Sequence, residues 1–195
     1  MRCGISEWRK PQGSFARPPR CETSFPSIIG IGIGGDERRT GAEPFRELYF
    51  EARDTGLRLT AHAGETVGPE SIWGALRELK ADRIGHGLRA TDDPKLVRYL
   101  AAKQVPVEVC ITSNVLTGCC AAVEQHPLRQ LFDAGVLVTL NTDDPDMFRT
   151  TLTREYQIAQ QMFGFSEDEL RELAKNSFRA SFLPEQKKQE YLAKF

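Results

Sequence analysis

The chain has 195 residues, 40% of them hydrophobic and 27% charged, the make-up of one soluble globular domain with room for a sizeable core. Its 26 basic and 27 acidic residues leave a formal charge of -1, which argues against nucleic acid or a membrane surface as partner, and no apolar run approaches a membrane span. Five cysteines, with Cys119 and Cys120 adjacent and no CxxC, point to free thiols in a reducing cytoplasm and away from both a secreted disulfide framework and a zinc ribbon.

Residues 1–26 are rich in Arg, Pro and Ser and lack apolar periodicity. They predict no stable element, and read as a tail or an aberrant chain start, not a targeting peptide. A single domain is expected over 27–195. It opens with SIIGIGIGGDE, an apolar, glycine-rich run that predicts a strand over 28–34 ending in a flexible turn. GIGIGG resembles a dinucleotide loop only weakly, because Asp36, Glu37 and Arg38 follow it where a helix should begin. Phe45, Leu48, Tyr49 and Ala52 then recur at helical spacing up to Gly56. In LRLTAHAGE, Leu57, Leu59 and Ala61 alternate as in a buried strand, His62 stands where strand becomes loop, and Glu65 lies one short turn further on. Next come a helix over 70–80, a short strand in ADRIGHG, a helix over 94–103 and a β-rich run, VPVEVCITSN. A helix over 128–134 capped by Gly135 leads to a strand in VLVTLNTDDP, and helices follow from Thr151.

Strands alternating with helices of about ten residues imply an α/β fold of parallel strands joined by right-handed crossovers. Five strands fit two architectures: part of a TIM (β/α)8 barrel, which takes eight strands and about 250 residues, or a complete doubly wound sheet. Polar groups recur at the end of each strand: Gly35, then His62 and Glu65, then His86, then Ser113 and Asn114, then Asp143 and Asp144. Each alone has an ordinary reading. HxxE is commonly a surface loop, a lone histidine is commonly packed, and DDP can cap a helix at Pro145. His126, before Pro127, reads as a helix-opening or surface residue. Taken together, they collect where the C-terminal rim of a parallel sheet gathers catalytic groups. Imidazole and carboxylate suit a catalytic zinc with an open position for water, and a second histidine and a glutamate would supply proton transfer.

HAGE, RIGHG, TSN, NTDDP, LTREYQIA and NSFRASFLP, in that order, resemble the C-terminal portion of the adenosine deaminase family over residues 27–195. The resemblance implies a partial TIM barrel of about five C-terminal βα units. It also implies one catalytic zinc and hydrolytic deamination of adenosine or a related purine nucleoside to an inosine-type product and ammonia. By motif position, His62 resembles a zinc ligand, Glu65 the acid that protonates the purine ring, and His86 the residue that orients and helps deprotonate the attacking water. Asp143 resembles the carboxylate ligand that also contacts that water, Asp144 a group bonded to the purine, and Gly35 a backbone contact to the ring. The family's His-x-His pair, two further zinc ligands, has no counterpart, since the histidines are His62, His86 and His126 only. Gly32 and Ile111 stand where the family often has aspartate and proline. The resemblance therefore implies a member lacking the first three barrel strands, with strands 28–34 and 136–140 as open edges that favour association. SNVLTG and QHPLRQLFDAG are also similar to the aminodeoxyfutalosine deaminases. Two other classes stand beside this reading: an inactive fragment that binds a full-length relative, and a base-editing zinc deaminase, whose H-x-E and P-C-x-x-C signature is absent.

Overall fold

The computed structural model describes residues 28–195, and the tail expected over 1–26 lies outside the described residues. Among the described residues, five strands follow one another: β1 (Gly30–Ile33), β2 (Arg58–Ala63), β3 (Arg83–His86), β4 (Val107–Val109) and β5 (Val138–Leu140). Every neighbouring pair is parallel, and the order across the sheet is the order along the chain. That order decides between the two architectures. A doubly wound sheet reverses its direction of growth partway and carries helices on both faces, whereas unbroken sequential order keeps all crossovers on one face and curls as an arc of a barrel.

The two faces of the sheet differ as an arc requires. Leu59, Ala61, Ala63, Ile84, Val107, Val109, Val138 and Leu140 are all buried. They pack with the helices α1 (Arg46–Asp54), α2 (Pro69–Arg77), α3 (Pro94–Lys103), α5 (Leu128–Asp133), α7 (Leu152–Phe163) and α8 (Glu167–Ala180), through Tyr49, Ile72, Leu96, Leu131, Ile158 and Leu173. Truncating one such leucine or isoleucine to alanine costs about 2–5 kcal/mol. The alternate positions carry Arg58, Thr60, His62, Arg83, Glu108 and Thr139, and Arg58 and His62 are exposed. Among the described residues, β1 and β5 are the sheet's two edges. No helix among the described residues is long and apolar enough to cross a membrane.

Helix starts follow local chemistry. Asp93 caps α3 by accepting from Lys95 N, with Pro94 in the first turn, and Ser166 and Glu169 form a reciprocal capping box on α8. The β-rich reading of 105–114 fails beyond Val109, because Ile111–Leu116 is a helix, α4. Its β-branched residues are overridden by a tertiary contact. Glu155, fully buried on α7, accepts from the N–H of Thr112 at 3.2 Å and from its hydroxyl, placing a carboxylate on the first turn of α4. The last strand is likewise shorter than its apolar run, and DDP opens the four-residue helix α6 (Pro145–Phe148). Asp144 holds the cap position there, but its side chain makes no cap bond.

Candidate active site

His62 is the penultimate position of β2, and two glycines, one on β3 and one just beyond the end of β1, make room for its ring. A Cβ at Gly85, its register partner on β3, would stand 2.8 Å from His62 Cδ2, and one at Gly34 would stand 3.0 Å from His62 Nδ1. The same rule explains two further glycines of GIGIGG. A Cβ at Gly32 would meet the Thr60 hydroxyl at 2.5 Å, and one at Gly30 the Arg58 carbonyl oxygen at 2.6 Å. These glycines clear space for β2 side chains and backbone; they do not cradle a phosphate.

His86 ends β3 with φ 64°, and Asp143 follows β5 with φ 57°, so two expected site residues occupy the left-handed region that side chains seldom adopt. The His86 ring meets His62 edge-on, with centroids 4.6 Å apart and Nε2 at 3.2 Å from His62 Nδ1. Glu65 Oε2 lies 3.5 Å from the same Nε2. Burial, and then the nearby His62, lowers the His86 pKa to about 4, while burial chiefly holds the Glu65 carboxyl above its ordinary range, helped by the charges of Glu37 and Asp143. His86 is thus favoured in its neutral form, so its proximity to Glu65 is not an ion pair, and the Glu65 carboxyl holds its proton more tightly than an ordinary glutamate.

The turn carrying Glu65 is held by Glu37, which no local signal marked. Its carboxylate accepts from the N–H groups of Gly64, Glu65 and Thr66 at 2.7, 2.9 and 2.7 Å, and from the Ser71 hydroxyl at 2.6 Å. Burial would raise the pKa of Glu37, but the Ser71 hydroxyl and these backbone donors outweigh it and bring the pKa below the ordinary value. The Cys119 thiol donates to Glu65 Oε1 at 3.7 Å.

Behind the site, Ser113 and Asn114 project from α4. The Ser113 hydroxyl donates to Asp143 Oδ2 at 2.7 Å, and Asn114 Nδ2 lies 3.1 Å from His86 Nδ1. His126 is neither exposed nor idle: it is 4% exposed, with Nε2 3.1 Å from Asn114 Oδ1, so the surface reading is wrong. The only sequence signal was the pairing of a histidine with Pro127.

An open hollow of about 510 Å³ is lined by His62, His86, Glu108, Cys110, Asn141 and Asp143, among others. Gly35 lines a smaller cavity of about 120 Å³ that also reaches His62, and its φ of 130° is open only to glycine. Asp144 is exposed and is not part of either lining. Candidate ligand atoms of His62, Glu65 and His86 lie within 4.8 Å of one another, as do those of His86, Cys110 and Asp143. His62 and Asp143, the expected imidazole and carboxylate ligands, fall in different ones of these two groups, yet both line the open hollow and are ligand types that suit a zinc with an open position.

The adenosine deaminase family model matches residues 22–195. An aminodeoxyfutalosine deaminase of Streptomyces avermitilis is 46% identical over 156 residues, 80% of this chain and 44% of that protein. An adenosine deaminase of Klebsiella pneumoniae is 45% identical over 161 residues, 83% of this chain and 48% of that protein. Among solved structures, an adenine deaminase from Arthrobacter aurescens superposes with a TM-score of 0.83 at 36% identity, covering 85% of this chain and 51% of that one. A zinc-bound amidohydrolase from Burkhoderia ambifaria gives 0.79 at 28% identity, covering 85% and 46%. The chain thus spans about half the length of the curated relatives it matches. A family match over nearly the whole chain, a sequential parallel arc and one pole of converging histidines and acids have a single common source: the chain belongs to the adenosine deaminase family.

Proposed function

We propose that this chain carries the acid–base half of a hydrolytic purine deaminase that converts adenosine or a related purine nucleoside to an inosine-type product and ammonia. The observation that carries this reading is the convergence of His62, Glu65 and His86 at the carboxyl end of the strands, where burial raises the pKa of Glu65. Glu65 donates its proton to the purine ring nitrogen beside the amino-bearing carbon, making that carbon electrophilic. His86 Nε2 faces the attacking water and orients it. Asp143, held by Ser113, takes up a proton from that water; the backbone of Gly35 and, by its place in the family motif although it lines neither cavity, Asp144 would contact the purine edge. His62 and Asp143 would hold one zinc, which when bound supplies a water acidified towards neutrality.

This donor set is half of the family's, so we infer that turnover by residues 1–195 needs the remaining barrel strands and their His-x-His pair, packed against β1 and β5, the edges of the sheet among the described residues. Mixing the chain with a polypeptide that supplies them and following loss of adenosine tests this. Turnover should appear only in the mixture and vanish in Glu65→Gln, whose amide cannot donate the ring proton. Robust zinc-dependent turnover by the chain alone would overturn the need for those strands. Failure of every such mixture would favour an inactive binding fragment. Aminodeoxyfutalosine is the second substrate reading, favoured by the 46% identity to a deaminase of that compound, and is tested in the same mixture.

A further inference from the structure

Behind His86 a line of buried groups runs back into the fold. The backbone N–H of Leu128 donates to His126 Nδ1 at 3.2 Å. His126 Nε2 lies 3.1 Å from Asn114 Oδ1, and Asn114 Nδ2 lies 3.1 Å from His86 Nδ1. His126, Asn114 and His86 are 4%, 0% and 2% exposed, so each ring and amide must be satisfied inside the protein.

An imidazole or a side-chain amide taken alone reads in either direction, but a backbone N–H can only donate. Leu128 therefore makes His126 Nδ1 an acceptor. Burial keeps the His126 ring neutral, with its pKa lowered to about 4, so its one proton sits on Nε2. That N–H needs an acceptor, which fixes the Asn114 amide with Oδ1 towards His126. A reversed amide would set donor against donor. With Oδ1 so placed, Nδ2 donates to His86 Nδ1, which must therefore be the unprotonated nitrogen, and the ring's proton is left on Nε2, facing His62 and Glu65.

We infer that His126 and Asn114 are positioning residues that lock His86 as the Nε2–H tautomer, by a chain of one-way hydrogen bonds started at the backbone of Leu128. Neither residue reaches the hollow; both act through His86. On the deaminase reading, on which only this consequence rests, His86 meets the attacking water as a hydrogen-bond donor and not as a vacant base. The uptake of the water's proton then falls to the Asp143 carboxylate.

The test reads the tautomers directly by two- and three-bond proton–nitrogen correlation on the metal-free, histidine-labelled chain near pH 7.5. Only three histidines need assignment. In the wild type, both His86 and His126 should carry the proton on Nε2. Asn114→Asp is nearly isosteric and offers only acceptors, so it should move the His86 proton to Nδ1. His126→Leu frees the amide to turn and should give mixed His86 tautomers, whereas His126→Gln, which can still donate to Oδ1, should restore the Nε2–H form. A wild-type His86 protonated on Nδ1, or a folded Asn114→Asp chain with His86 still protonated on Nε2, would sink the inference. If neither substituted chain folds, the wild-type spectrum decides alone. The tautomers are readable whether or not the chain ever deaminates a purine, so this result and the catalytic reading stand or fall separately.

Discussion

Gly85 sits beside His62 in the register of β3 on β2, so close that a single methyl group there would press on the imidazole at 2.8 Å. Gly85→Ala should therefore cost about 1–3 kcal/mol as overpacking. The loss should shrink when His62 is also changed to alanine, because the obstructed ring is gone. Urea unfolding of the four chains in a double-mutant cycle measures the coupling, and a coupling near zero would show that the glycine serves some other need.

Glu37 should be worth more to the fold than an ordinary half-exposed acid. In Glu37→Gln the amide nitrogen replaces an acceptor with a donor against a ring of donors, and bonds to a charged acceptor are worth about 1.5–3 kcal/mol each. A loss on the order of 2–4 kcal/mol is expected after allowing for non-additivity. Its folded pKa is depressed, so its stabilisation is present above the unfolded carboxylate range and is lost as pH falls through the folded pKa. Wild-type stability measured down this acid range should fall more steeply than that of Glu37→Gln.

The two faces of β2 and the polar strand ends were legible from period-two alternation and punctuation by glycine, and the parallel pairing from the alternation of strands with helices, whereas the order of the strands was left open between two architectures. His62, Glu65, His86 and Asp143 stood out for that reason. Glu37 did not: it resembles any turn acid, and its partners, Gly64 and Ser71, lie 27 and 34 residues further on. Asn114 was seen as a polar strand end, yet it sits on a helix that exists because of Glu155, 41 residues later than Asn114. His126 shows only a histidine before a proline until Asn114 is brought to it. What sequence hides here is every role that depends on a distant carboxylate or amide.

The buried neutral state of His126 predicts a pH dependence. Its pKa near 4 when folded lies below the ordinary 6.5, so the unfolded chain binds the extra proton, and stability should rise from about pH 4 to about pH 6.5. Over that window one such group contributes about 3 kcal/mol. Guanidinium unfolding of metal-free protein at pH 5 and pH 7.5 should show the difference. His126→Gln should reduce it, and an unchanged difference would mean that His126 is not the group responsible.

Zinc should bind weakly to the chain by itself. Halving the roughly 10–16 kcal/mol of a four-ligand structural site leaves about 5–8, a dissociation constant of roughly 0.1 mM to 1 μM. Calorimetric titration near neutral pH tests this, and nanomolar affinity that disappears in His62→Ala would reveal ligands not recognised above.

The short helix α4 carries Ser113 and Asn114 at adjacent positions, one bonded to Asp143 beyond β5 and the other to His86 at the end of β3. A rotation of this one element would drag both bonds at once, so the two rims of the hollow share a single bearing. Glu155, with the hydroxyls of Thr112 and Thr150, is the pin through that bearing. A Glu155→Gln change, at a buried position outside the lining of the hollow, should register as correlated chemical-shift changes at His86 and Asp143, the signature of a hinge loosened at its axle.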